Sequence, residues 1–143
     1  MSSETHDPSL RWMLLYTKPH AEVWAGANLM KQGFAVLLPR VALARGSGFG
    51  MLFPRYLFVG AEVERPTSVL RSTYGVAYIV HCGEKPAIVP LEVVAEIEGR
   101  MDARGVVHLD AAPVKDPLFA KRERERVRTL VKFAEAGFKV KLA

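Results

Sequence analysis

The sequence predicts an α+β fold, on three observations. Segments that alternate with period two are interleaved with segments of helical periodicity, in the order β-α-β-β-α-β-β-α. Half of the 143 residues are apolar, which is enough to build one core. A glycine-rich stretch joins the two middle strands as a hairpin. This order is that of the ferredoxin-like, split βαβ arrangement, an antiparallel sheet with helices mainly on one face.

The first predicted strand, residues 11–17, leads directly into the first helix. Pro19 stands at or near the first turn of that helix, where proline is tolerated, and Gly33 is a natural stop. One apolar stripe with Trp24 beside it indicates an amphipathic helix, and it consists of Val23, Ala27 and Met30.

A β-hairpin is predicted over residues 35–59. Its first strand contains Pro39, which indicates an edge strand or a bulge. Its second strand is "MLFPRYLFV", residues 51–59. Because side chains alternate along a strand, one face carries Leu52, Pro54, Tyr56 and Phe58, and the other carries Phe53, Arg55, Leu57 and Val59.

The second half begins with a short helix that ends at Gly75. Strands follow at residues 76–80 and 87–89. Pro90 then starts a third helix, whose apolar positions are Val93, Val94 and Ile97.

Three further regions flank this predicted domain, residues 11–101. Residues 1–10 are predicted to be disordered and residues 102–117 to be a linker. Residues 118–143 predict a basic helical tail, because apolar residues recur at spacings of three or four and Gly137 follows them. These residues are Leu118, Val127, Leu130, Val131 and Ala134.

The positive charge is concentrated in the tail. The chain has a net charge of +5, and residues 116–143 alone carry eight Lys and Arg against four Asp and Glu. A basic segment is typical of attraction to nucleic acid or another acidic surface, and equally of a solvated helix face.

Several functional classes find no support in the sequence. No run of about 18 apolar residues exists to span a membrane, and the polar N-terminus is neither a signal nor a transit peptide. The single cysteine, Cys82, fits a reducing, cytosolic compartment. Histidines are scattered and no phosphate loop appears, so we expect no catalytic residue, metal or cofactor.

The predicted topology leaves one face of the sheet largely open. The first strand pairs with the third, so Tyr16 is expected beside Tyr56 and Phe58. Aromatic residues on an uncovered face are typical of an interaction surface. The alternative is that another part of the chain, such as the tail, covers this face.

Three segments, "WMLLYTKPHAEVWAGANLMKQGFAVLLPRV", "MLFPRYLFV" and "STYGVAYIVHCGEKPAIVPLEVVAEI", together resemble the N-terminal domain of the NusG family of transcription elongation factors. They are most like the specialised paralogues typified by RfaH, and the likeness covers about residues 11–100. The resemblance implies a non-enzymatic elongation or antitermination factor that binds bacterial RNA polymerase. In this family a hydrophobic pocket grips the β′ clamp helices, which suppresses pausing or termination.

The resemblance also implies site residues. The polymerase pocket would be formed by Tyr16, Pro54, Tyr56 and Phe58, flanked by Val94 and Ile97. Phe53 matches the pocket too, but the alternation along its strand assigns it to the core.

Two further contacts are implied by the same resemblance. A contact with the polymerase β subunit falls on Thr67 and Ser68, in a segment that departs from the His- and Thr-rich pattern of RfaH. A basic patch that reads the non-template DNA strand falls on Lys18, His20, Arg45 and Arg71.

The tail does not match the family. NusG-family proteins normally end in a small β-barrel, the KOW domain, and the 26 residues after Pro117 are too few to build one. We expect that the tail either folds over the polymerase-binding face, as in RfaH-like proteins, or is a remnant. A truncated or frameshifted gene is a third possibility.

The rival interpretation is an RNA-binding module. The RNA-recognition fold also stacks bases on aromatic residues of its first and third strands, the positions of Tyr16, Tyr56 and Phe58. The chain has "FPRYLFV" in place of the glycine-containing signature of that fold, and its main domain is nearly neutral.

Overall fold

The computed structural model describes residues 9–42, 48–109 and 116–138. The elements in chain order are β1 (Leu10–Thr17), α1 (Glu22–Lys31), β2 (Ala35–Leu37), β3 (Arg40–Ala42), β4 (Phe49–Met51), β5 (Tyr56–Glu62), α2 (Thr67–Arg71), β6 (Val76–Ile79), β7 (His81–Cys82), β8 (Lys85–Pro86), α3 (Leu91–Gly99), β9 (Val106–Val107), a 3-10 helix (Pro117–Phe119) and α4 (Glu123–Glu135).

The central sheet has the strand order β2-β5-β1-β6, and each neighbouring pair is antiparallel. The first strand therefore pairs with the third predicted strand, as the split βαβ arrangement requires. The predicted α+β fold with its antiparallel sheet is confirmed, and so is a helix in the C-terminal tail.

Pro39 divides the first strand of the predicted hairpin in two. β2 lies at the edge of the central sheet, whereas β3 leaves it and pairs with β4 and β9 in a second, three-stranded sheet. Proline lacks an N–H, so a sheet ladder is readily broken at that residue. β9 lies within residues 102–117, which the sequence predicts to be a linker, and it pairs in parallel with β3.

The residues that helix α1 buries are not those of its predicted apolar stripe. It begins at Glu22, three residues after Pro19, and its buried residues are Glu22, Ala25, Gly26 and Leu29. The predicted apolar stripe of Val23, Ala27 and Met30 faces solvent. Small residues allow the helix to approach the domain closely: a Cβ added at Gly26 would lie 3.4 Å from a Val36 methyl carbon.

Each face of the central sheet supports its own hydrophobic cluster. Alternate residues Met13 and Leu15 of β1 pack with α1 and α2, through Ala25, Leu29 and Leu70 among others. The side chains of Trp12 and Leu14 point to the other face of β1. They belong to the second cluster, together with Val93, Val94 and Ile97 of α3. The second cluster also contains the tail residues Leu118, Phe119, Leu130 and Ala134. The face predicted to be largely open is therefore covered, because α3 and the tail pack on it.

Candidate functional site

The candidate site is the tyrosine- and phenylalanine-rich end of this second face. The antiparallel register places Tyr16 of β1 directly opposite Tyr56 of β5, and their ring centroids are 5.0 Å apart. Tyr78 of β6 is the other neighbour of Tyr16, with ring centroids 4.8 Å apart and planes 30° apart. The structure thus brings three tyrosines side by side across three strands.

The turn before β5 places Phe53 on the same side as the other aromatic residues. Leu52 to Arg55 form bends and turns instead of strand, so the alternation assumed for residues 51–59 does not hold there. Phe53 is fully buried and packs edge-on against Phe58, with centroids 6.1 Å apart. Its predicted core position is correct, but its predicted place on the opposite face from Tyr56 and Phe58 is wrong. We call Tyr16, Phe53, Pro54, Tyr56 and Phe58 the aromatic face.

Arg55 holds this turn in place. It adopts a left-handed backbone with φ of 74°, which is unfavourable for a residue with a side chain. Its backbone N–H donates to the buried carboxylate of Glu22 at 2.9 Å, and its Nε donates to the Thr17 carbonyl at 3.1 Å. The guanidinium carbon then lies 4.2 Å from the centre of the Tyr16 ring, a favourable cation–π position.

Helix α3 supplies the base of the site. Val94 and Ile97 are fully buried in the same hydrophobic cluster as Tyr56 and Phe58. In this conformation they therefore lie beneath the surface, although the sequence places them at the edge of an exposed patch. Phe58 is also fully buried, and Tyr56 is 9% exposed.

The tail covers the aromatic face through two short segments. In the 3-10 helix Leu118 and Phe119 are fully buried, and in α4 Leu130 and Ala134 are fully buried. The Arg100 guanidinium, just after α3, lies 4.1 Å from the centre of the Phe119 ring. The tail therefore occupies the surface that the sequence assigns to a partner.

A buried arginine fastens α4 to the domain. Arg126 is 3% exposed, and its Nε donates to the Leu52 carbonyl at 3.0 Å. One terminal nitrogen of its guanidinium also donates to the carbonyls of Ala120 and Lys121, each at 2.9 Å. Burial lowers the pKa of Arg126 below its usual value, while the nearby Glu123 carboxylate partly opposes that effect. The guanidinium thus joins the tail to the turn that carries Phe53.

The tail also changes the chemistry of Tyr56. Burial raises the pKa of the Tyr56 hydroxyl to about 12, and the tyrosines at 78 and 16 and the tail residue Glu135 contribute smaller increases. Glu135 is the last residue of α4, so the ionisation of Tyr56 reports on the presence of the tail.

The residues assigned to the β subunit and to DNA lie elsewhere. Thr67 and Ser68 begin α2, which packs through Leu70 on the opposite face of the sheet. Lys18 and His20 are exposed in the turn before α1, and Arg71 is exposed at the end of α2. The backbone N–H of Lys18 donates to the Gly75 carbonyl at 2.9 Å, so the turn before α1 and the turn after α2 are in contact. Arg45 lies outside the described residues.

Sequence reasoning missed three residues of the site. Tyr78 could have been found from strand pairing, because β6 neighbours β1 in the split βαβ order. Arg126 could have been found from helical spacing, because it lies four residues before Leu130 and eight before Ala134 on the buried stripe of α4. Arg55 gives no such signal, because its role depends on a positive φ angle.

The described residues carry no group of three or more His, Cys, Asp or Glu side chains placed to hold a metal ion. Among the same residues no helix combines the length and the apolar character needed to cross a bilayer. The features that remain are therefore a covered aromatic face and exposed basic turns on the other side of the sheet.

A protein-family model matches a large part of the chain. The family model described as "Transcription termination factor nusG" matches residues 10–98. This span is more than half of the chain and contains the aromatic face, both basic turns and α3 except its last residue, but it ends before the tail.

Proposed function

The chain belongs to the NusG family, and from this premise we propose that it is an elongation and antitermination factor that binds bacterial RNA polymerase at the β′ clamp helices. Proteins of this family are non-enzymatic transcription factors that interact with RNA polymerase. On the proposal, the chain acts in the cytoplasm without catalysis or cofactor and suppresses pausing or termination. It belongs with the specialised RfaH-type paralogues.

One observation carries this proposal: the aromatic face already accepts a helix. An amphipathic helix, α4, buries Leu130 and Ala134 in the same cluster as Tyr56 and Phe58. A surface that binds the apolar side of a helix within one chain has the shape and chemistry to bind a helix of a partner. Aromatic anchors suit such a contact because they bury a large area with few rotatable bonds.

On this proposal the tail and the polymerase compete for one surface. The residues proposed to contact the clamp helices are Tyr16, Pro54, Tyr56, Phe58, Val94 and Ile97. Phe58, Val94 and Ile97 are fully buried while the tail is docked, so the tail must move before a partner helix can reach the centre of the face. Tyr78 is 49% exposed with the tail in place, and the adjoining Tyr16 is half-buried.

Two secondary contacts complete the proposal. Thr67 and Ser68 are proposed to contact the β subunit, and Lys18, His20, Arg45 and Arg71 to contact the non-template DNA strand. Exposed cations next to one another are what phosphate neutralisation requires. Thr67, Ser68, Lys18, His20 and Arg71 lie away from the aromatic face, so on this proposal their contacts do not need the tail to move.

RNA stacking on the sheet is the weaker alternative. Like the clamp-helix contact, it requires the tail to move because Phe58 is fully buried, and the chain has "FPRYLFV" in place of the glycine-containing signature of the RNA-recognition fold. A tail residue that affects the ionisation of Tyr56 is a glutamate, Glu135, which repels phosphate.

Binding to a purified β′ clamp-helix fragment tests the proposal. We expect the full chain to bind, and Tyr56→Ala to lose most of the affinity. The matched control is Val63→Ala, which truncates an exposed apolar residue just after β5 and leaves affinity unchanged. Equal affinity of the Tyr56 variant and the wild type, with both folded by circular dichroism, would refute the assignment. Binding to single-stranded RNA that disappears in the same variant would support the alternative.

A further inference from the structure

Two aromatic side chains lie exposed and parallel on the side of the sheet opposite the tail. Trp24 of α1 is 55% exposed and Tyr74, in the turn after α2, is 76% exposed. Their ring planes are within 12° of parallel and their centroids are 6.0 Å apart. Neither ring belongs to either hydrophobic cluster. Large aromatic rings in this state are poorly explained by a role in the core.

Hydrogen bonds and close packing fix the backbone around Tyr74 against α1, beside Trp24. The Asn28 side-chain amide donates to the Tyr74 carbonyl at 3.3 Å, and the Lys18 N–H donates to the Gly75 carbonyl at 2.9 Å. Gly75 has a φ of 93°, and a Cβ there would lie 2.9 Å from the Cβ of Ala25. Only glycine fits this close approach, which seats the turn that carries Tyr74 against α1.

The segments that carry the pair are rich in exposed basic residues. Lys18 and His20 are exposed in the turn before α1, Lys31 is exposed at its end, and Arg71 stands three residues before Tyr74. Across residues 18–31 and 71–78 the sole acidic residue is Glu22. Its carboxylate is buried and accepts the Arg55 N–H, so it does not offset the cations at the surface.

We propose that Trp24 and Tyr74 form a stacking site for bases of single-stranded DNA. Single-stranded nucleic acid is bound by aromatic rings on which bases stack and by cations that contact the phosphates. The inference rests on the proposed DNA contact of Lys18, His20 and Arg71, and it adds contacts to the bases themselves. The pair lies on the face opposite the tail, so DNA binds whether or not the tail is docked.

An apolar protein partner is the alternative ligand for this surface, and the experiment must distinguish it from DNA. Val23 and Met30 are exposed on the same helix, and an apolar protein partner would use them together with Trp24. Bases stack on aromatic rings and have no need of the aliphatic side chains. Replacing the rings by leucine keeps apolar area but removes stacking, whereas trimming Val23 and Met30 does the reverse.

The experiment measures the affinity of the full chain for a fluorescein-labelled ten-residue oligothymidylate and for an abasic decamer with the same number of phosphates. We expect thymidylate to bind at least about five-fold more tightly, since stacking on an aromatic ring is worth about 1–3 kcal/mol per base. In Trp24→Leu and in Tyr74→Leu the two affinities become equal. In Val23→Ala/Met30→Ala both affinities stay at the wild-type values.

Tryptophan fluorescence gives an independent readout. The chain has two tryptophans, and Trp12 is 1% exposed, so quenching of the accessible tryptophan by thymidylate reports on Trp24. Lys18→Ala is expected to weaken both oligonucleotides equally and to reduce the slope of log affinity against log salt by about one.

The inference fails if thymidylate and abasic DNA bind equally to the wild type, or if neither binds. It fails too if Val23→Ala/Met30→Ala weakens binding as much as Trp24→Leu, or if oligouridylate binds more tightly than thymidylate. Polymerase is absent from this assay. Failure here therefore leaves the clamp-helix proposal standing, and failure of the clamp-helix assay leaves this inference standing.

Discussion

Replacing Arg126 by alanine should release the tail. The substitution removes three hydrogen bonds from a buried guanidinium to the carbonyls of Leu52, Ala120 and Lys121. Leu52 is fully buried, so its carbonyl loses a donor where water does not easily replace it. The other two carbonyls belong to more exposed residues and are rehydrated at little cost.

The magnitude follows from these terms. A buried acceptor left unsatisfied costs about 1–3 kcal/mol, and a hydrogen bond that involves a charged group contributes about 1.5–3 kcal/mol net of the exchange with water. Removing the guanidinium also recovers its own burial cost, which is the cause of its lowered pKa. We therefore expect a net loss of about 2–3 kcal/mol in docking of the tail, which is about 30- to 150-fold in its equilibrium.

Hydrogen exchange followed by mass spectrometry or NMR is the assay. Amides of α4 should exchange about 30- to 150-fold faster in Arg126→Ala, because local opening exposes them. The control is Arg128→Ala, which removes an exposed arginine two residues further along the same helix and should change exchange by less than about three-fold.

Amides of β1 and β5 should keep their wild-type protection. Equal protection of α4 in the two arginine variants would refute the role of Arg126. An equal loss of protection in β1 and β5 would refute the idea that the tail opens separately from the domain.

Three further predictions follow from the structure. Gly75→Ala should destabilise the fold by about 1–3 kcal/mol in urea denaturation, because the added Cβ would contact Ala25 and the φ angle of residue 75 is positive. The control is Gly99→Ala, whose added Cβ meets no atom within 4 Å and which should change the free energy of unfolding by less than about 1 kcal/mol. An unchanged midpoint for Gly75→Ala would contradict the close approach. In the double variant Arg126→Ala/Leu130→Ala, the pKa of Tyr56 should fall from about 12 towards 10, because Tyr56 is less buried once the tail is released. The pKa is measured from tyrosinate absorbance, with Tyr56→Phe as the reference. A pKa unchanged from the wild type would contradict the contact between Tyr56 and the tail. Hydrogen bonds from His108 and from the backbone N–H groups of Val106 and Arg104 lower the pKa of Asp102 to about 2, so its ionised form favours the folded state and that stability is lost as pH falls from about 4 to 2. Asp102→Asn should therefore show a smaller fall in Tm than the wild type over that range, and identical falls would contradict the assignment.

The sequence predicted the features that depend on local pattern. The α+β class, the buried positions of α3 and the helix in the tail follow from periodicity and from glycine and proline, and the structure confirms them. The predicted strand order holds less well, because the first strand of the hairpin is divided at Pro39 and residues 87–89 contribute only an isolated bridge at Ile88. The pairing of Tyr16 with Tyr56 also followed, because the split βαβ order fixes which strands are neighbours.

Other features depend on contacts between distant segments. Phe53 shares a face with Phe58 because Arg55 turns the chain, and that turn depends on Glu22, 33 residues earlier. Helix α1 buries small residues instead of its most apolar stripe, because the turn at Gly75 fits closely against Ala25. Coverage of the aromatic face by the tail depends on how Arg126 and Phe119 dock, which no local pattern encodes.

The most direct test of the account is the affinity of a β′ clamp-helix fragment for four forms of the full chain: the wild type, Arg126→Ala, Tyr56→Ala and the double variant. If the tail covers the polymerase-binding face, apparent affinity scales with the fraction of molecules whose tail is open. We predict tighter binding for Arg126→Ala, by up to about the 30- to 150-fold expected for tail opening. Adding Tyr56→Ala should then abolish that gain. Equal affinities of the wild type and Arg126→Ala, or tight binding by the double variant, would contradict the account.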